Sequence, residues 1–154
     1  MAENLNYNAN GSKCYSNSES NCQKYGRLYN WKTAKSACPK GWHLPSDEEW
    51  TKLTDFVGGS STAGTKLKAA SGWNSYQGKS GNGTDDFGFA ALPGGYGGPV
   101  YSFDYVGYCG LWWSASEYHR AYYVYVRNMD YDYEGVYRYK NYKDFLFSVR
   151  CVKD

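Results

Sequence analysis

Aromatic and polar side chains are concentrated near the C-terminal end of the chain. Half of its 18 tyrosines lie within residues 118–142, and Asn, Asp, His and Arg residues stand between them. Tyrosine offers a large, rigid, amphipathic contact surface, and these neighbours supply adaptable hydrogen bonds. Tyr and Arg also dominate the energetics of many protein interfaces. The composition predicts a ligand-binding surface; the alternative is an edge-rich β-region that favours tyrosine.

Alternation predicts which of these side chains face outward. In Tyr123–Arg127 the two valines take one face, and their burial makes it the inner one. Residues 130–133 are expected to form an exposed loop or hairpin tip, and Tyr137 and Tyr139 to share a face on the returning segment. Residues 118–120 could form a neighbouring loop, which would complete one contiguous surface. The predicted ligand-binding residues are Tyr118, His119, Arg120, Tyr123, Tyr125, Arg127, Asp130, Tyr131, Asp132, Tyr133, Tyr137, Tyr139 and Tyr142.

Catalytic chemistry has little support in the sequence. Only two histidines are present, and no Ser/His/Asp or Cys/His arrangement has supporting spacing. His43 stands between two apolar residues and is expected to be a hydrogen-bonded structural residue. Residues 47–49 are better explained as an acidic first helical turn than as paired catalytic carboxylates. We therefore predict no enzyme and no cofactor.

Metal binding is a weak expectation. The cysteines form no CxxC pair and have no histidine at ligand spacing, which argues against zinc. Asp85 and Asp86 could hold a structural calcium ion. Calcium takes six or more oxygen ligands, however, and only these two carboxylates are adjacent.

The five cysteines point to an oxidising compartment. Cys14 and Cys22 bracket a short polar segment that a disulfide could close. Cys38 and Cys151 could tie the two ends of the chain together and restrict the unfolded state. Cys109 is then left over and is predicted to be free. Five reduced thiols in a cytosolic protein are the alternative.

The remaining pattern predicts the elements that hold this surface. A short helix is expected over 29–37, where a proline follows its end, and a second over 47–57, which begins with a capping box. Residues 72–99 are a glycine-rich loop with spaced aromatic residues, and residues 145–151 alternate as a closing strand. Residues 1–24 carry no periodic pattern. At 154 residues the whole chain, 1–154, is expected to be one domain.

Charge and hydropathy exclude two classes of partner. A formal net charge of +2 is too small to favour nucleic acid. No apolar run approaches membrane-spanning length, so no membrane insertion is expected. The first residues lack the apolar segment of a signal peptide.

Four motifs occur in order along the chain: KYGRLYNWKTAKSACPKGWHLPSDEEW, GNGTDDFGFAALPGGY, LWWSASE and FSVRCVKD. Together they resemble the Fibrobacter succinogenes major paralogous domain, a family related to C-type lectin-like and formylglycine-generating-enzyme-like folds. The resemblance implies an α+β domain with two helices packed on a small twisted antiparallel sheet that carries long loops. It implies secreted or cell-surface bacterial proteins and a Cys38–Cys151 bridge from the first helix to the last strand.

The resemblance also points to the variable proteins of diversity-generating retroelements. In these, template adenines are randomised within a C-terminal segment, and AAC or AAT codons then reach Tyr, Asp, His, Ser, Asn, Arg, Val, Leu, Phe and Gly. Most of segment 118–146 falls in this set, which makes it the candidate variable segment. Four residues would have to lie outside the randomised codons, namely Met129, Glu134, Lys140 and Lys143.

Two departures from the family pattern stand out. Leu146 occupies a position where the family often has glycine. The opening MAENLNY usually follows further strand-like sequence, so the chain is expected to be an excised piece of a longer surface protein.

The leading prediction is a recognition module for an unknown protein, peptide or glycan. One alternative is a formylglycine-generating-type enzyme, which needs two active-site cysteines where only Cys109 would be free. Calcium-dependent sugar binding is disfavoured because the Glu-Pro-Asn and Trp-Asn-Asp motifs are absent. A purely structural cell-surface domain is the last alternative.

Overall fold

A capping box starts the second of the two helices that the sequence predicts. The computed structural model describes residues 1–100 and 102–154. In it the Ser46 hydroxyl accepts a hydrogen bond from the Glu49 amide, and the Glu49 carboxylate accepts one from the Ser46 amide. This reciprocal pair satisfies two helix-end donors. The helix predicted over 47–57 is confirmed as Asp47–Phe56.

The preceding helix also begins at a residue whose side chain caps the helix end. The Asn30 side chain accepts a hydrogen bond from the Thr33 amide, which caps a helix over Trp31–Ala37. Pro39 follows within two residues of its end, as expected for a residue that cannot continue a helix. The helix predicted over 29–37 is thus confirmed.

The described residues form four α-helices and twelve strands, most of them short. The helices are α1 (Glu19–Tyr25), α2 (Trp31–Ala37), α3 (Asp47–Phe56) and α4 (Ala63–Leu67). The strands are β1 (Ser12–Lys13), β2 (Leu28–Tyr29), β3 (Trp42–His43), β4 (Ser75–Tyr76), β5 (Lys79–Ser80), β6 (Tyr96–Gly97), β7 (Phe103–Asp104), β8 (Cys109–Glu117), β9 (Tyr123–Asp130), β10 (Tyr137–Tyr142), β11 (Phe147–Ser148) and β12 (Val152–Lys153).

The main sheet has six strands in the order β1-β2-β11-β8-β9-β10, and three two-stranded sheets accompany it. Its neighbours pair antiparallel except β11 and β8, which are parallel. A parallel pair needs a long crossover, and the β9–β10 hairpin lies between these two strands in the chain. The expectation of a purely antiparallel sheet is wrong at this pairing. The architecture is mixed α and β, compatible with the α+β class.

The long strand β8 divides the core into two layers. Successive residues of a strand point to opposite faces, and the adjacent Trp112 and Trp113 are both fully buried on opposite sides. Trp31 of α2 donates its indole N–H to the Ser114 carbonyl on one side, and Trp50 of α3 to the Trp113 carbonyl on the other. The sheet is thus covered by α2 on one face and by α3 on the other.

Both predicted disulfides are present. Cys14 pairs with Cys22 at a Cα separation of 5.0 Å, and Cys38 pairs with Cys151 at 5.9 Å. The second bridge closes a loop of sequence separation 113, so it strongly restricts the unfolded chain. Cys109 is free, as predicted, and it is buried.

Two sequence expectations differ from the fold. The N-terminal segment without periodicity contains helix α1. The predicted closing strand over 145–151 contains only the short strand β11, and both parities of 146–151 are buried. The reason is that this segment runs through the middle of the domain: Leu146 pairs with Gly97, and the Arg150 guanidinium donates to the Phe89 carbonyl at 2.6 Å.

Candidate ligand-binding site

The tyrosines of the β9–β10 hairpin divide between two faces of the sheet. Residues directly opposite in an antiparallel pair project to the same face, and Tyr139 pairs with Val126. Tyr137 and Tyr139 therefore share the face of the buried valines, whereas Tyr123 and Tyr125 project from the other face. The expectation of one contiguous aromatic surface is wrong. The parity within each strand was predicted correctly, but the register between the strands could not be read from the sequence.

The first group of tyrosines is covered by the protein's own cations. The Arg138 guanidinium lies 3.9 Å from the ring centroid of Tyr125. The Lys140 ammonium lies 4.6 Å from the Tyr118 centroid and 5.3 Å from that of Tyr123. These are cation–π contacts. We call this group the basic face; it comprises Tyr118, Tyr123, Tyr125, Arg138, Lys140 and Tyr142.

Arg127 lies beneath the basic face and is only 2% exposed. Its guanidinium donates to the Asp47 carboxylate at 2.6 Å and to the Thr51 hydroxyl at 3.0 Å. Arg127 projects from the same face of the sheet as Tyr123 and Tyr125, as alternation predicted. The start of α3, however, covers the part of this face where Arg127 lies. The prediction that Arg127 faces outward to meet a ligand is therefore wrong.

Asp47 joins Arg127 to the basic face. Arg138 donates to both carboxylate oxygens of Asp47, at 2.8–3.0 Å. Burial raises the pKa of Asp47, but the hydrogen bonds and charges of Arg138 and Arg127 outweigh burial and hold that pKa below its ordinary value. The sequence indicated an acidic helical turn here. Its ion pairs were missed because the partners lie 80 and 91 residues away.

The second group of tyrosines lines a cleft of about 480 Å³ on the valine side of the sheet. It opens between the ends of the long strands β8, β9 and β10 on one side and Tyr96, Tyr105 and Tyr108 on the other. We call it the acidic cleft, because Asp130 is the charged residue in its wall. Its lining residues are Tyr96, Tyr105, Tyr108, Cys109, Leu111, Asn128, Asp130, Tyr131 and Tyr139.

The aromatic rings that line the acidic cleft pack against one another. Tyr96 and Tyr105 stack with centroids 5.7 Å apart and an interplanar angle of 17°. Tyr108 and Tyr131 meet edge to face at 5.1 Å. These are the preferred geometries of aromatic pairs. Tyr105 and Tyr108 nevertheless stay 59% and 45% exposed, and Tyr139 is 50% exposed, so wide ring surface remains open to solvent.

A glycine allows this wall to form. Gly95 has φ +64°, and a Cβ there would lie 2.4 Å from the Asp104 carbonyl oxygen. Only glycine fits both the left-handed backbone and the close approach. Tyr105 also adopts a left-handed backbone, with φ 66°, a conformation that is uncommon for a bulky residue and often found at functional sites.

The floor of the acidic cleft holds an amide and a carboxylate. The Asn128 side chain is 7% exposed and donates from Nδ2 to Asp130 Oδ2 at 2.9 Å. Its Oδ1 has no hydrogen-bond donor among the described residues. Burial raises the pKa of Asp130 more than the Asn128 hydrogen bond lowers it. The nearby Lys68 ammonium donates to the backbone carbonyls of Asp130 and Tyr133.

Cys109 closes one end of this floor. Burial raises the pKa of its thiol to about 12, with a further contribution from the charge of Asp130. The thiol is therefore protonated at neutral pH and is a poor nucleophile.

The remaining predicted ligand-binding residues lie beside either the acidic cleft or the basic face. Tyr133 stacks on Tyr137 with centroids 4.2 Å apart, and Tyr137 stacks on Tyr139, which extends the cleft wall. Asp132 is exposed. His119 and Arg120 are exposed in the turn before β9, next to the basic face.

Sequence reasoning missed several lining residues of the acidic cleft. Segment 96–108 is itself rich in tyrosine, and this signal could have suggested a second contributor to the site. Asn128 could not have been identified, because its role depends on strand register. The missed residues are Tyr96, Tyr105, Tyr108, Cys109, Leu111 and Asn128.

Metal-ligating groups are sparse in the described part of the chain. The one cluster of three donor atoms found there is that of Cys14, Glu19 and Cys22, and its two sulfurs form a disulfide. At the predicted calcium position, the Asp85 carboxylate accepts a hydrogen bond from the Ala90 amide at 2.6 Å. Calcium binding there stays a prediction.

Two observations bear on where the protein works. Within residues 1–100 and 102–154, no helix combines the length and apolar character that crossing a membrane requires. Two disulfides indicate an oxidising environment, as found outside the cytoplasm.

Comparison with known proteins gives one match. The profile of the Fibrobacter succinogenes major domain family matches residues 1–153, which is nearly the whole chain. No curated protein and no solved structure matches this sequence. The matched region includes the helices, the sheet and both disulfides described above, and it agrees with the motif resemblance. The chain belongs to the Fibrobacter succinogenes major domain family.

Proposed function

We propose that this protein is a ligand-recognition module and that the acidic cleft is its binding site. One observation carries the proposal: tyrosines from separate chain segments surround a cleft of about 480 Å³, and its floor contains a buried acceptor for which the described residues supply no donor. Ligand sites are typically concave and mostly apolar, with a few convergent polar groups. Large exposed aromatic area on a folded domain usually marks an interaction site.

The proposed scaffold is C-type lectin-like, and the proposed location is the cell surface or the secreted fraction. The family match, the bridge from Cys38 to Cys151 and the small helix-covered sheet support this assignment. The ligand is a protein, peptide or glycan. The proposal includes neither nucleic acid nor membrane insertion, and it requires no cofactor.

Diversification of segment 118–146 forms part of the proposal, in a restricted form. Both faces of the hairpin carry exposed tyrosines, but Val124, Val126, Arg127 and Met129 between them are buried. Variation at these four positions would disturb the core, so it is expected only at the exposed positions. Sister genes of one genome would test this: changes spread equally over buried and exposed positions would contradict it.

Catalysis of the formylglycine-generating type is not proposed. That chemistry uses two active-site cysteines, whereas four of the five cysteines form disulfides. The fifth, Cys109, is buried, and its pKa is raised to about 12. A purely structural domain is the remaining alternative.

Binding screens on matched variants test the function. Wild type would be screened on immobilised peptide and glycan libraries beside a double variant of the cleft, Tyr108→Ser with Tyr139→Ser. Tyr122→Ser is the control, because Tyr122 is 76% exposed and lies outside the cleft lining. We expect wild type and control to share ligands that the cleft variant loses. If no ligand depends on the cleft, the proposed site is wrong and the structural alternative is favoured.

A further inference from the structure

The walls of the acidic cleft differ in charge from the basic face. Among the described residues, no Lys or Arg lines the cleft, and no cation–π contact involves its rings. On the basic face the protein's own Arg138 and Lys140 occupy that position. Apart from the faces that stack on a neighbouring ring, the faces of the cleft tyrosines, which carry the negative side of the ring quadrupole, are therefore left for a ligand.

The polar groups of the cleft floor are acceptors. Asn128 Oδ1 has no donor among the described residues, because the amide nitrogen of the same side chain is directed at Asp130. The Asp130 carboxylate takes part in no ion pair among the described residues. The nearest ammonium, that of Lys68, donates to backbone carbonyls instead.

We propose that the acidic cleft binds an alkylammonium group, as a lysine side chain of a protein or peptide partner presents it. The inference rests on the proposed function and names its ligand class. The tyrosine faces attract the cation, and the Asp130 carboxylate in the lining pairs with its charge. Two exposed carboxylates lie close by and would attract a basic partner. Asp132 lies two residues after Asp130 in the chain, and Asp104 of β7 lies opposite the cleft residue Tyr96 of β6 in their antiparallel strand pair.

A sugar ring fits the same cleft less well. Sugar hydroxyls need both donors and acceptors. The donors that the lining side chains offer are the tyrosine hydroxyls, the second N–H of the Asn128 amide and the protonated thiol of Cys109, itself a weak donor. A glycan ligand is therefore the competing outcome of the test rather than the proposal.

The test is an NMR titration with small probes of matched shape. Capped lysine, capped Nε-acetyl-lysine and a methyl glycoside would each be titrated into wild-type protein. Acetylation keeps most of the side chain but removes the charge. We expect saturable shifts at cleft residues for capped lysine and about tenfold weaker binding of the acetylated probe. Equal binding of the two lysine probes, preference for the glycoside, or no saturable shift with lysine would overturn the proposal.

Variants locate the interaction. Asp130→Asn keeps the shape and removes the charge, and it should weaken capped lysine about tenfold. Asp132→Asn, an exposed neighbour outside the lining, should change affinity far less. If Asp130→Asn does not fold, Tyr139→Leu serves instead, because that ring is half exposed; lysine binding unchanged in Tyr139→Leu would then contradict the proposal. Cleft-dependent glycan binding would overturn this inference alone, whereas a cleft that binds nothing would overturn the proposed function as well.

Discussion

The basic face and the acidic cleft use the same residue type for different purposes. Arg138 and Tyr139 are neighbours on β10, yet they project to opposite faces of the sheet. On one side the protein's own cations cover the tyrosine rings. On the other side the rings remain half exposed around a carboxylate. A tyrosine-rich composition therefore does not by itself show which rings are open to a ligand; the position of the protein's own cations distinguishes the two groups.

The two regions also differ in their connection to the fold. The basic face continues through Asp47 into α3, and so helps to attach that helix to the sheet. The acidic cleft lies where the long strands meet short strands and loops, and its floor contains an acceptor that no described residue pairs. We therefore expect substitutions on the basic face to change stability and substitutions in the cleft to change binding.

The largest expected effect is that of Asp47→Ala. Removing this carboxylate leaves the guanidinium of Arg127, which is 2% exposed, without a charged partner. Breaking a buried pair in this way costs about 3–5 kcal/mol. Urea denaturation at neutral pH would measure the loss. Asp132→Ala, at an exposed carboxylate, is the control and should change stability by no more than about 0.5 kcal/mol.

Acidification should reduce the difference between wild type and Asp47→Ala. The folded-state pKa of Asp47 is lowered, so its stabilising contribution is complete above the ordinary value and is lost as the pH falls through the folded-state pKa. Below that pH a protonated Asp47 leaves Arg127 unpaired in the wild type too. A difference in unfolding free energy that is independent of pH would show that the ion pairs are not its source.

A smaller difference in stability is expected between a tyrosine variant of the basic face and one of the acidic cleft. Tyr125→Ser removes a ring that contacts Arg138 and Tyr118, and it should cost about 1 kcal/mol. Tyr139→Ser removes a half-exposed cleft ring and should cost no more than about 0.5 kcal/mol. Thermal unfolding of both variants would compare them directly. A reversed order would mean that the cleft ring, and not the basic-face ring, supports the fold.

Local signals predicted much of the scaffold. Ser46 and Glu49 specified the start of α3 through contacts three residues apart, and alternation placed Val124 and Val126 inside. Long-range features could not be predicted in the same way. The burial of Arg127 depends on a helix about 80 residues earlier in the chain, and the separation of Tyr125 from Tyr139 depends on strand register, for which composition contains no information.

Asp130→Asn should separate stability from binding. Burial, with the nearby charge of Asp132, raises the folded-state pKa of Asp130 against the opposing effects of Asn128 and Lys68. A carboxyl group with a raised pKa destabilises the fold when ionised, and this penalty vanishes as the pH falls below its ordinary value. The neutral variant should therefore be at least as stable as wild type at neutral pH while lysine binding weakens. A clear loss of stability in urea would instead assign the carboxylate a structural role.

The smallest expected effect concerns His43, which the sequence predicted to be structural. Its ring nitrogens contact Asp154 at 2.7 Å and Glu49 at 2.8 Å, and these hydrogen bonds raise its pKa. A histidine with a raised folded-state pKa stabilises the fold fully below its ordinary value and loses this contribution as the pH rises through the raised value. Wild type should thus lose a little stability on mild alkalinisation, in the direction opposite to the acid effect at Asp47. His43→Gln should abolish that slope, and His119→Gln, at an exposed position beside the basic face, should keep it. A slope that survives His43→Gln would show that another group titrates there.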